Sequence, residues 1–198
     1  MGVLPFAAAG AALALESAIH LANFGLDDLR IRMLDSNYEW SYSHLLATGA
    51  FATGAVTSVI AARSGVRRAR TWWTAGALFA FLAVDGATRI HEHIPAWPVV
   101  YAPVLVCLCV AVASLAEGTD EEPVVRAGIA LLALSIVIHV FGPGVVHRLG
   151  WSPEGWAYQS KVALKEGTEL AGWVLLVPAL VRLAAGSRHR DLGPVAGD

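Results

Sequence analysis

The sequence predicts an all-α protein, a polytopic membrane protein built as a six-helix transmembrane bundle. Three observations carry that prediction. Mean hydropathy is +0.57, and of 198 residues 56% are hydrophobic and only 15% charged, where a soluble domain carries about a quarter charged residues. Several apolar runs approach about 20 residues, the length that crosses a bilayer. Such runs must be helical, because an open sheet cannot satisfy its backbone in lipid.

The first span is expected over 3–25 and holds Glu16 and His20 inside its apolar run. No Lys or Arg precedes it, which argues against a cleaved signal peptide, as do the two ionisable residues. The second, 43–62, spaces the small residues Ala50, Gly54 and Ser58 by four, a pattern that lets helices approach closely in lipid. The third, 72–93, begins apolar and ends in Asp85, Arg89, His91, Glu92 and His93. A tight turn from Pro95 to Pro98 joins it to the fourth, 97–116, which contains Cys107 and Cys109. Residues two apart on a helix point away from each other, so these cysteines read as small apolar residues rather than a disulfide or metal pair. The fifth span, 124–142, carries His139, and the sixth, 161–184, carries Lys165, Glu166 and Glu169. Residues 1–185 thus form one transmembrane domain, followed by a polar tail, 186–198, expected to be disordered and cytoplasmic.

Orientation follows from the arginines of the loops. Arg63, Arg67, Arg68, Arg70, Arg126, Arg182, Arg188 and Arg190 fall on one side, against Arg30, Arg32 and Arg148 on the other. Both termini are therefore expected in the cytoplasm. Tyr38, Trp40, Tyr42, Trp97, Tyr101, Trp151, Trp156 and Tyr158 would form the outer aromatic belt, with Trp72 and Trp73 marking the inner one. The net charge of −2 and the lack of a basic stripe exclude a nucleic-acid partner.

The ionisable residues are layered. Glu16, Asp85 and Glu169 each lie about nine residues from the outer end of their helix, ~13 Å deep. His20, Arg89 and Lys165 follow one turn nearer the surface, at the four-residue spacing that shares a face. Lipid exposure of such groups is costly, so the stripes should face one outward-opening chamber. Five carboxylates (Glu16, Asp85, Glu92, Glu166, Glu169) against Arg89 and Lys165 leave an excess of −3 if all ionise. Protonation, water or a bound cation must relieve it.

Two short motifs also resemble segments of uncharacterised bacterial multi-span membrane proteins. AVDGATRIHEHI is similar to a D-E-x-x-x-x-H-E pattern, and KEGTELAG to an E-E-x-x-E-x-x-G pattern, through Asp85, His91, Glu92, Glu166, Glu169 and Gly172. Gly86 and Lys165 stand where the patterns have Glu. The resemblance implies a bacterial inner (plasma) membrane protein and supplies residues rather than an activity.

Four functions compete on this reading. In a metal-dependent enzyme acting on a lipid or quinone, Glu16, His20, Asp85, His91, His139 and Glu166 would bind Zn or Fe. Glu92 or Glu169 would serve as general base, and Arg89 or Lys165 would hold an anionic headgroup. A transporter or proton relay would use the same Asp, Glu, His and Arg groups as an ion path. A non-catalytic membrane subunit would use them only to hold helices together. A b-type haem cytochrome is the fourth, although its histidines would stand at one membrane depth only.

Overall fold

The computed structural model describes residues 2–26, 31–38, 40–65, 68–95, 97–150, 152 and 155–191. Among the described residues six α-helices follow in order: α1 (Leu4–Phe24), α2 (Tyr42–Arg63), α3 (Ala69–Thr88), α4 (Trp97–Ala116), α5 (Glu122–Arg148) and α6 (Trp156–Asp191). Short 3-10 turns occupy Arg32–Leu34 and Ile90–His93. No strand occurs among the described residues. The all-α class and the six helices agree with the sequence. Arg30, Arg67, Trp151, Ala96 of the expected Pro95–Pro98 turn and residues 192–198 of the expected tail lie outside the described residues.

Among the described residues five helices (α1, α2, α4, α5, α6) are long and apolar enough to cross a membrane. The third expected span is not among them, because Trp72, Trp73, Thr74 and Asp85 dilute its hydropathy. Large apolar side chains stand exposed along these helices, Val106 at 60% and Val110 at 63% on α4 among them. A water-soluble surface does not carry such a coat, and lipid accounts for it. The protein is therefore membrane-embedded.

Several helix ends differ from expectation: α5 runs six residues past 142, to Arg148, and α6 begins five residues early, at Trp156. α3 stops at Thr88, five residues early, because Arg89 adopts the left-handed conformation (φ 56°) and its N–H closes on the Asp85 carbonyl at 2.6 Å. α6 instead runs on to Asp191, into the expected tail; no proline follows until Pro194 to stop it.

The fold comprises two compact units. The first consists of Gly2–Ala47 and Ala127–Leu175, the second of Thr48–Arg126 and Leu176–Asp198. In the first, α1 and α6 meet at Gly167, where a Cβ would stand 2.6 Å from Leu13 Cδ1 and 3.1 Å from both the Leu13 carbonyl and Ser17 Oγ. Only a residue without a side chain permits that approach. Ser17 adds a hydrogen bond to the Ala163 carbonyl at 3.3 Å. In the second unit the small-residue stripe of α2 does what its spacing predicts: the Phe79 ring of α3 lies over Gly54, 2.8 Å from where a Cβ would be. Trp72 is a core residue at 2% exposure, while Trp73 stays exposed beneath the Arg63 guanidinium.

Candidate functional site

α1 turns three polar residues, Glu16, His20 and Asn23, into the interior of the first unit, and none exceeds 3% exposure. Buried polar groups need partners, and the described part of the α1–α2 connection supplies them. Asn23 accepts the Ile31 N–H at 2.8 Å and donates to the Ile31 carbonyl at 3.1 Å. Ser36 donates its backbone N–H to His20 Nδ1 (3.1 Å) and its hydroxyl to Glu16 Oε1 (2.6 Å).

These bonds assign the His20 tautomer. Nδ1 accepts from Ser36, so the ring proton sits on Nε2 and is donated to Gln159 Oε1 of α6 at 3.0 Å. Gln159 Oε1 also accepts from Asn37 Nδ2 at 3.0 Å. Both ring nitrogens are engaged, and His20 as folded offers no lone pair to a metal. The other carboxylate oxygen, Glu16 Oε2, and the Tyr42 hydroxyl are buried without a well-formed hydrogen bond, yet lie close enough to interact.

One turn of α6 carries the charge cluster of this unit. Lys165 Nζ stands 2.9 Å from Glu166 Oε1 and 2.9 Å from Glu169 Oε2. The i,i+4 spacing brings Lys165 to Glu169, and a bent lysine stem reaches its neighbour as well. Ser135 of α5 approaches Glu169 at 3.5 Å, and Trp173 and His44 lie within its electrostatic reach. His139 of α5 feels Lys165 and Lys161, and Glu16 feels Glu166. Glu16, Lys165, Glu166, Glu169, His44 and His139 thus share one electrostatic neighbourhood.

Asp85, Arg89, His91 and Glu92 belong to the second unit. Asp85 Oδ1 accepts the His91 backbone N–H (2.9 Å) and the Tyr101 hydroxyl (2.7 Å), and Oδ2 accepts from His91 Nδ1 (2.8 Å). The His91 ring packs edge-on against Trp97 at 5.3 Å and Tyr101 at 6.2 Å. Tyr101, expected in the outer aromatic belt, is buried at 4% exposure as the partner of Asp85. The expected helical stripe Asp85, Arg89, Glu92 does not form, since the helix ends between its members. Arg89 lies 3.5 Å from Glu92 instead.

Among the described residues, no three His, Cys, Asp or Glu side chains gather closely enough to hold a metal ion. Sequence reading missed Ser36, Asn37, Tyr42, Tyr101, Ser135 and Gln159 as partners at these sites. Tyr101 had a visible signal, its place across the Pro95–Pro98 turn from Asp85. Ser36 and Gln159 had none, because their contacts join distant parts of the chain.

A family model described as a domain of unknown function (DUF8692) matches residues 3–183. No curated protein and no solved structure matches the chain.

Proposed function

The chain belongs to the family described as a domain of unknown function (DUF8692), and we propose that it is an ion-handling membrane protein. The cluster of Lys165, Glu166 and Glu169 takes up and releases a proton. The observation that carries this reading is the single ammonium of Lys165, placed 2.9 Å from each of two carboxylates. Glu16 adds a third carboxylate within electrostatic reach of Glu166. Three acids against Lys165, with Lys161 also in reach of Glu166, leave an excess of −1 if all ionise, and a membrane interior makes that costly.

A proton satisfies the excess with little movement. When it binds one carboxylate of the pair, the Lys165 ammonium stays with the other; when it leaves, the ammonium bridges both again. Ser135 and His139 of α5 and His44 of α2 stand where a proton would pass to or from Glu169. We place the protein in a bacterial inner membrane with both termini cytoplasmic, on the arginine excess of the inner loops. The likeness of both motifs to those of bacterial multi-span membrane proteins supports that location.

Purified protein in liposomes, loaded with a pH-sensitive dye, tests the reading. Proton flux should exceed that of empty vesicles and fall about tenfold or more in Glu169→Gln. Stoichiometric Zn or Fe in the purified protein, lost in Glu16→Ala or Asp85→Ala and without proton flux, would favour a metal-dependent enzyme acting on a lipid or quinone instead.

A further inference from the structure

The arginines at one end of the second unit do not all have partners of the same kind. Arg68 donates to Glu117 Oε2 at 3.3 Å, Arg126 pairs with Glu122, and Arg182 holds both oxygens of Glu121, at 2.6 and 2.7 Å. Among the described residues no carboxylate pairs with Arg63 or Arg70, and both are exposed. Arg70 gains nothing from its own helix. It lies in the first turn of α3, where the helix dipole disfavours a cation, and that turn holds no acid to offset it.

One indole joins these two arginines. The Arg63 guanidinium, from the last turn of α2, lies over the Trp73 ring, 6.0 Å from its centroid, a contact that holds the cation against the ring face. Arg70 precedes Trp73 by three residues, the spacing that shares a helix face. Trp73 itself is 45% exposed, although the adjacent Trp72 is core. Two cations without acidic partners thus flank an exposed aromatic ring, about one turn into a helix of a membrane-embedded protein.

We propose that Arg63, Arg70 and Trp73 form a docking surface for the headgroup of an anionic membrane lipid, a phosphodiester of the phosphatidylglycerol type. The two guanidiniums donate to the phosphate oxygens, an acceptor that their planar fork fits well. The indole packs along the glycerol backbone and the first carbons of the acyl chains, with its N–H at headgroup level. Charge complementarity selects this occupant. A zwitterionic lipid brings an ammonium that the arginines repel, and a soluble anion leaves the exposed ring uncovered. The surface lies wholly in the second unit and shares no residue with the Lys165 cluster. It goes beyond the proton relay and does not depend on it.

Native mass spectrometry of the full chain in detergent tests the surface, with phosphatidylglycerol and phosphatidylcholine of identical acyl chains as probes. The wild type should bind phosphatidylglycerol about tenfold or more tightly. Arg63→Gln combined with Arg70→Gln should bind the two lipids alike. Arg68→Gln should keep most of the preference, because Glu117 already holds that guanidinium. Equal binding of both lipids by the wild type, or an unchanged preference in the double variant, would overturn the proposal. So would an equal loss in Arg68→Gln, which would assign the preference to overall charge. Glycerol phosphate competing as well as the lipid would overturn it too, as the mark of a site for soluble anions. Should the double variant fail to fold, the single variants decide: each should lose part of the preference, and no loss in either would overturn the proposal.

Discussion

His91 donates from Nδ1 to Asp85 Oδ2 across 2.8 Å, around a turn made by a left-handed Arg89. The carboxylate in the last turn of α3 therefore organises the chain that follows it, through the His91 backbone, the His91 ring and the Tyr101 hydroxyl. Asp85→Ala leaves three buried or half-buried donors without their acceptor. It should destabilise the protein by about 2–4 kcal/mol, and Asp85→Asn by less, as read by thermal unfolding in detergent.

Arg89 holds φ 56° without being glycine. Arg89→Gly and Arg89→Ala both remove the guanidinium, so their difference isolates the backbone. The glycine variant should be more stable than the alanine variant by about 1 kcal/mol. Equal melting temperatures would show that the turn carries no strain.

Gly167 lets α6 approach the Leu13 carbonyl of α1. Gly167→Ala forces that contact apart and should cost about 1–3 kcal/mol. Gly10 has nothing within 4 Å of an added Cβ, and Gly10→Ala should be tolerated in the same assay.

Much of this architecture was legible beforehand, and the reason lies in the solvent. Run length and hydropathy report helices directly in a membrane protein, because lipid leaves the backbone few alternatives. The α2 stripe at Gly54 was legible for the same reason. The end of α3 was not: Arg89 enters the left-handed region with neither Gly nor Asn to announce it, so the four-residue spacing from Asp85 misled. The polar stripe of α1 was visible, but its partners were not. Ser36 and Gln159 reach His20 from 16 and 139 residues away, and no local pattern encodes such pairs. The triad on α6 was visible because all its members fall within one turn.

Lys165 is the only cation bonded to Glu166 and Glu169 among the described contacts. Lys165→Met should therefore destabilise the protein by about 3–5 kcal/mol, since it strands two carboxylates. Adding Glu166→Gln and Glu169→Gln to the same chain should restore most of that loss. A triple variant no more stable than Lys165→Met alone would show that the cost lies in packing rather than charge.

Proton movement in sealed liposomes addresses the central claim most directly. Vesicles containing the wild-type protein should collapse an imposed pH gradient, and those with Glu169→Gln should do so about tenfold more slowly. Collapse at the rate of protein-free vesicles in both cases would contradict the account.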